Sequence, residues 1–100
     1  IDWNNSAKNI HNQIRAFTPN PGAFTLYKSK RIKLFASRIA KLERDVELQP
    51  GYINYKAPEI LIGTGTKLIK INYIQLEGKK RLPASQFILG FPEIIGGSFD

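Results

Sequence analysis

Apolar residues at the start of the chain recur at the spacing of a helix. Four of them lie three or four positions apart and would share one face: Ala7, Ile10, Ile14 and Phe17. They predict a helix over residues 6–17, in which the side chain of Asn5 or Ser6 caps the first free amide groups. We expect Pro19 and Pro21 to end this helix, because proline cannot donate the backbone hydrogen bond that a longer helix needs.

After this helix the apolar period changes to two, which is typical of strands. Five short strands are predicted, over residues 23–27, 31–40, 52–55, 60–62 and 67–76. In the second of these, Ile32 and Leu34 would face one side of the sheet, and Arg31 and Lys33 the other. Beyond Phe35 the alternation becomes irregular, so we expect a bulge or a bend there.

Residues 83–89 predict a short final helix, with Pro83 in its first turn and Gly90 as its stop. The acidic residues 43–49 are expected to form a loop, and the last ten residues to be irregular. Short strands with a helix at each end predict a mainly β fold with flanking helices. A small OB-like five-stranded barrel is the architecture we expect, and a small sandwich or an SH3-like barrel would fit the same pattern.

The composition limits the class of protein. One hundred residues fit a single domain, which we assign to residues 1–100. Cysteine is absent, which excludes disulfides, thiolate zinc sites and a cysteine nucleophile. Methionine is also absent, so we expect the chain to be a piece of a longer protein. No secretory signal and no apolar run near the ~20 residues of a membrane helix are visible. We therefore expect a cytoplasmic protein without a membrane partner, with an organelle as the alternative location.

Positive charge is abundant and clustered. Lysine and arginine number 15 against 8 acidic residues, for a formal charge of +7. One cluster comprises Lys28, Lys30, Arg31 and Lys33, and the other comprises Lys79, Lys80 and Arg81. In a closed barrel the second cluster could lie beside the first, and Lys70 would add a cation from the polar side of the last strand. Such clusters favour binding to the phosphates of a folded RNA. The alternative is that they are ordinary solvent-exposed cations.

No set of residues predicts catalysis. His11 is the only histidine and has no cysteine or carboxylate cluster around it in the sequence, so we interpret it as structural. The segment 63–67 (GTGTK) faintly resembles a phosphate-binding loop, but a hairpin turn is the better interpretation because the spacing is wrong. Four aromatic residues follow the apolar pattern, and we expect them in the core: Trp3, Phe17, Phe24 and Phe35.

Several segments together resemble the C-terminal domain of the methionyl-tRNA formyltransferase family. They are the opening IDW, residues 14–25 (IRAFTPNPGAFT), residues 31–33 (RIK), residues 77–82 (EGKKRL) and residues 87–90 (FILG). The resemblance extends from residue 1 to about residue 90. Two positions depart from the family: Asn20 stands where tryptophan is usual, and Pro83 where the final helix often begins with serine.

This resemblance implies an OB-like domain attached to an N-terminal Rossmann-type domain. The latter would bind formyl-tetrahydrofolate, the formyl donor, and carry the catalytic residues, whereas this piece alone would not be an enzyme. The implied role is to hold initiator tRNA on a positive surface so that its aminoacyl end reaches the catalytic domain. The matching cations are Arg31, Lys33, Lys79, Lys80 and Arg81, whereas Lys28, Lys30 and Lys70 are added from charge and strand alternation.

Two other functions fit the same sequence. The chain could be the equivalent domain of a folate-dependent enzyme that acts on a small molecule, such as a nucleotide-sugar formyltransferase or a formyl-tetrahydrofolate hydrolase, with a structural or assembly role. It could also be a purely structural module that docks on its partner domain through Trp3 and the first helix. The second cationic cluster favours the tRNA enzyme, because the small-molecule enzymes and the structural module do not need to bind phosphates of RNA.

Overall fold

The computed structural model describes residues 1–18, 20–40 and 48–100. Pro19 and residues 41–47, which hold most of the predicted acidic loop, lie outside the described residues. The elements follow the chain in this order: α1 (Ala7–Phe17), β1 (Ala23–Tyr27), β2 (Lys30–Ala40), β3 (Ile53–Lys56), β4 (Glu59–Gly63), β5 (Leu68–Leu76), β6 (Leu82–Pro83), α2 (Ala84–Gly90) and a 3-10 turn (Pro92–Ile94). All five predicted strands and both helices are therefore confirmed, and the short β6 was not predicted.

Helix α1 begins where its sequence predicts. The hydroxyl oxygen of Ser6 accepts a hydrogen bond from the backbone amide of Asn9 at 3.1 Å, and so satisfies one of the free amides of the first turn. The helix buries three of its four predicted apolar residues, Ala7, Ile10 and Ile14. Phe17, the fourth, is 44% exposed. The core-facing stripe of α1 is therefore shorter than the sequence indicated.

The strands form one antiparallel sheet in the order β1-β2-β5-β4-β3, with β6 paired to β5. In the part of the chain that the structure describes, no ladder joins the two end strands β1 and β3. The predicted closed barrel is thus not confirmed: the fold is mainly β with two helices, and its sheet is open.

Among the residues that the structure describes, an apolar cluster rich in isoleucine joins α1, α2 and the inward residues of the strands. The C-terminal segment contributes to it as well. Phe99 stacks on Trp3 with ring centres 5.6 Å apart, and Trp3 donates its indole hydrogen to Thr25 Oγ1 at 2.9 Å. The last ten residues are therefore anchored in the core, although they contain little regular structure.

The irregularity predicted beyond Phe35 is present. Ala36 has a positive φ of 54°, and the β2–β5 ladder passes from the pair Phe35–Tyr73 to the pair Ser37–Ile71 without pairing the residues between. One residue on each strand is left out of the ladder, so the register is the same on both sides. This differs from a simple bulge, which adds a residue to one strand alone.

Candidate nucleic-acid interface

The pairing of β2 with β5 brings the two cationic clusters together. These strands are antiparallel, so the first residues of β2 lie opposite the last residues of β5: Ile32 pairs with Leu76, and the amide of Glu77 donates to the carbonyl oxygen of Arg31 at 2.9 Å. The turn that follows β5 carries Lys79, Lys80 and Arg81 and therefore lies beside the start of β2. The clusters meet without closure of a barrel.

Arg31 and Lys33 lie on the side of the sheet that faces away from the core, since they alternate with the buried Ile32 and Leu34. We call this side the outer face. The Cζ atom of Arg31 lies 4.3 Å from the ring centre of Phe24, and its Nη1 atom lies 3.8 Å from Glu77 Oε1. A cation over an aromatic ring gains about 0.5–1 kcal/mol at an exposed site. These two contacts hold the Arg31 guanidinium on the outer face.

Arg81 reaches the same face from the β5–β6 turn. Its Cζ atom lies 3.9 Å from the ring centre of Phe35, which is buried beneath it and is only 2% exposed. Gly22, with φ +86°, passes close by: a Cβ atom there would lie 3.1 Å from Lys33 Cδ and 3.3 Å from the Phe35 ring. Arg81, Phe35 and Lys33 are therefore contiguous on the outer face.

A groove of about 330 Å³ opens beside these cations, between the end of α1 and the start of β1. We call it the aromatic groove. The residues of its wall that matter here are Phe17, Pro21, Gly22, Phe24, Arg31 and Lys33. Phe17 is 44% exposed and Phe24 40% exposed, so both rings present apolar area to solvent next to positive charge.

A second groove, of about 210 Å³, lies on the other side of the β5–β6 turn, and we call it the lysine groove. Lys79 and Lys80 line it together with Phe87 and Phe91 of the C-terminal segment. The Nζ atom of Lys30 lies 5.0 Å from the ring centre of Phe91, which places this cation at the same groove. The structure thus brings Lys30, Lys79 and Lys80 together next to the cations of the outer face.

Two of the predicted cations sit apart from these grooves. Lys28 occupies the exposed β1–β2 turn, where its Nζ atom lies 5.5 Å from the ring centre of Tyr27. Lys70 pairs with Arg38 at the far end of the β2–β5 ladder. Its Nζ atom lies 4.0 Å from Oε1 of Glu59, the same oxygen that accepts from Arg38 Nη2 at 2.6 Å. Lys70 is therefore separated from the interface and next to a carboxylate.

Glu59, Arg38 and Lys70 form a second charged site, in which Glu59 is unusual because it is a buried acidic residue. It is 8% exposed, and its Oε2 atom is buried without a hydrogen-bond partner. Because an uncompensated buried carboxylate is costly, Arg38 and Lys70 stabilise it by their charge. The arrangement accounts for Lys70 as part of a structural ion cluster.

The features interpreted as structural have structural contacts. His11 Nδ1 lies 2.7 Å from Ser37 Oγ, and the pKa of His11 is lowered by burial and, to a smaller degree, by the charge of Arg15. In the 63–67 loop, Thr64 Oγ1 accepts from the amides of Thr66 and Lys67 at 3.2 and 3.1 Å, which confirms a turn. No group of side chains suited to a metal ion occurs in the described ranges.

The aromatic residues correct the sequence interpretation. Trp3 is in the core as expected, whereas Phe17 and Phe24 are exposed in the aromatic groove. Phe35 is buried, but beneath Arg81 and outside the core cluster. Both faces of β1 carry apolar residues, so its sequence does not show which face is buried. In the structure, Ala23 and Tyr27 lie on the buried face. Glu77 was not predicted as a residue of the site, although it forms an ion pair with Arg31.

None of the helices in the described segments is both long and apolar enough to cross a membrane.

Comparison with known proteins agrees with the resemblance found in the sequence. Residues 1–92 match the family model described as the formyl transferase C-terminal domain. Methionyl-tRNA formyltransferase of Geobacter sulfurreducens is 42% identical over 92 residues, which cover 91% of this chain and 28% of that protein. The enzyme of the same name from Koribacter versatilis is 39% identical, with the same coverage of both chains. The chain thus spans about 28% of the length of these relatives.

A solved structure has the same fold. HypX from Aquifex aeolicus, in complex with tetrahydrofolic acid, superposes with a TM-score of 0.77 over 95% of this chain and 17% of its own. The sequence identity is 19%, so this likeness concerns the fold alone.

Proposed function

This chain belongs to the formyl transferase C-terminal domain family, and we propose that it is the tRNA-binding domain of a methionyl-tRNA formyltransferase. In this role it holds initiator tRNA on its cationic surface, so that the aminoacyl end reaches a catalytic domain that precedes it in the same protein. The compartment that we propose is the cytoplasm. The relatives at 39–42% identity carry the name of the tRNA enzyme, which favours tRNA over a small-molecule substrate.

The observation that carries the proposal is the meeting of two cationic clusters across the β2–β5 ladder. Arg31, Lys33 and Arg81 occupy the outer face, and Lys79 and Lys80 line the groove next to it. Each cation that contacts a phosphate releases counterions, which supplies affinity without a base sequence being read. Cations gathered at one end of the β2–β5 pair suit the phosphates of a folded RNA.

The formyl donor is assigned to the preceding catalytic domain. The surroundings of His11 support this assignment, because its ring contacts a serine hydroxyl and its charged neighbour among the described residues of the adjoining cavity is Arg15, a cation. This domain would contribute binding and orientation alone, and its effect on the reaction would come from holding two reactants in a productive geometry.

The test is the affinity of the chain for tRNA across a salt series. The logarithm of the association constant should fall linearly with the logarithm of the salt concentration. Substituting Lys33→Ala with Arg81→Ala should flatten that slope by about one unit for each lost phosphate contact. The triple variant Lys79→Ala, Lys80→Ala and Arg81→Ala should flatten it by up to about three units.

A matched control removes two exposed cations elsewhere, Lys8 on α1 and Lys67 before β5. This Lys8→Ala, Lys67→Ala variant has the same net charge as the Lys33→Ala, Arg81→Ala variant, and we expect it to retain most of the wild-type slope. Absence of tRNA binding at low salt, or equal slopes in the two double variants, would contradict the proposed function.

A further inference from the structure

We propose that the aromatic groove is a subsite for one unstacked nucleobase, whose neighbouring phosphate is held by Arg31 and Lys33. The inference rests on the proposed RNA-binding function and adds a contact of a different kind, since it places a base as well as phosphates on this domain. It concerns the groove between the end of α1 and the start of β1, apart from the lysine groove.

The size and walls of the groove fit such an occupant. Its volume of about 330 Å³ lies at the lower end of the ~300–1,000 Å³ typical of small-ligand sites. Phe17 and Phe24 present their rings to it while remaining 44% and 40% exposed. Proteins that bind single-stranded RNA stack bases on aromatic rings of this kind.

The position of Arg31 strengthens the case. Its guanidinium lies over the Phe24 ring, 4.3 Å from the ring centre, so a ring and a cation are already held together at the groove. A guanidinium plane is itself a surface on which bases stack, and its hydrogens can bind a phosphate. Lys33 lies at the same wall and adds a second cation, while Gln13 adds a polar side chain.

Charge complementarity selects the nucleotide over an apolar peptide side chain as the occupant. An apolar side chain would use Phe17 and Phe24, but it would leave Lys33 without an anionic ligand and Arg31 with Glu77 alone. A nucleotide uses all four, because its base is flat and apolar on its faces and its phosphate is negative. RNA loops and ends supply unstacked bases, whereas a duplex does not.

The test compares an unpaired RNA of about 12 nucleotides, within the site sizes of single-strand binders, with the duplex it forms with its complement. Phosphate contacts alone favour the duplex, which has the higher charge density and the steeper salt dependence. We expect the chain to prefer the single strand. In the Phe24→Leu variant, affinity for the single strand should fall by at least about fivefold, the lower end of the effect of removing one stacked base. Its affinity for the duplex and both salt slopes should be unchanged.

Two further variants separate stacking from a general disturbance of the strand. Phe24→Tyr retains a ring and should restore the preference for the single strand. Leu26 lies on the same face of β1, is 38% exposed and does not line the groove, so Leu26→Ala should leave both affinities unchanged. A salt slope that falls in Phe24→Leu would mean that the ring acts by placing Arg31, which contradicts a stacking site.

The outcomes also separate the inference from the function on which it rests. A wild-type chain that binds the duplex as tightly as the single strand or more tightly, or a single-strand preference that survives Phe24→Leu, would overturn the subsite while leaving RNA binding intact. A groove that instead receives an apolar segment of another protein would leave the phosphate contacts alone, and the chain would then prefer the duplex. Failure to bind either RNA at low salt would contradict the proposed function itself.

Discussion

Among the described residues that line the aromatic groove, Glu77 is the acidic one, and its removal should strengthen RNA binding. Its Oε1 atom lies 3.8 Å from Arg31 Nη1, and the two side chains are 61% and 47% exposed. An exposed ion pair of this kind contributes only about 0–1 kcal/mol to stability. The Glu77→Gln variant should therefore fold as the wild type does, with a small change in its melting temperature, while the Arg31 guanidinium stays over Phe24.

The gain in affinity follows from the geometry. A phosphate oxygen bound to the free side of the Arg31 guanidinium, at about 2.8 Å, would lie roughly 6–7 Å from the Glu77 carboxylate. Two unit charges at that distance repel by about 0.6 kcal/mol at the dielectric constant of water and by about 2.5 kcal/mol at an effective value of 20. Removing the carboxylate should therefore raise affinity by about 3- to 70-fold at low salt.

The assay is a titration of fluorescently labelled tRNA, followed by anisotropy, at about 50 mM and about 200 mM salt. The matched control is Glu93→Gln, which changes the net charge equally at an exposed residue that lines neither groove. We expect Glu77→Gln to bind more tightly than Glu93→Gln, with a smaller difference at high salt because screening shortens the range of the repulsion. Equal affinities would refute the placement of phosphate beside Arg31. Weaker binding would show that Glu77 positions Arg31 for its ligand.

Three other predictions concern stability and the limits of the interface. The folded protein lowers the pKa of His11 below its usual 6.5, so the unfolded chain binds the proton more readily. Stability should therefore fall as the pH drops through about 6.5, and urea unfolding of His11→Gln should lack this part of the fall. Lys70→Ala should leave the salt slope of tRNA binding unchanged, because Lys70 lies beside Glu59 at the far end of the ladder; a slope lower by about one unit would contradict this. Gly22→Ala should destabilise the fold by about 1–2 kcal/mol, since its φ is +86° and its Cβ would crowd Lys33. Gly90→Ala, in open space at the end of α2, should be neutral or stabilising by up to about 1 kcal/mol, and chemical denaturation compares the two.

Local sequence patterns predicted most of the helices and strands, but they could not predict whether the sheet closes into a barrel. The period of α1 and the alternation in β2 are properties of neighbouring residues, so they can be read from the sequence. Whether β1 meets β3 depends on sheet twist and curvature summed over every strand, which no single segment records. The short β6 was missed because two residues carry no period.

The candidate site was predicted in its charges but not in its apolar part. Clusters of charge can be recognised directly in the sequence, which is why Arg31, Lys33 and Arg81 were identified. Phe24 was assigned to the core because it follows the apolar pattern of the chain, and only the burial of Ala23 and Tyr27 shows that it faces outward. Lys70 was included for its charge, whereas its proximity to Glu59 depends on the pairing of β4 with β5.

The break at Ala36 explains how one long strand can serve two charged sites. Before the break, the core residues of β2 are Ile32 and Leu34; after it, Ser37 is the residue that turns inward, toward His11. Had the alternation continued unbroken, Arg38 would share the inner side with Leu34 and bury its charge. Strand β5 makes the same change between Ile71 and Ile74, both of which are in the core. Because both strands shift phase at the same rung of the ladder, the register is kept, and cations point away from the core at both ends of the pair. The sheet can therefore hold the Glu59 ion cluster at one end and the proposed RNA surface at the other without burying an unpaired cation between them.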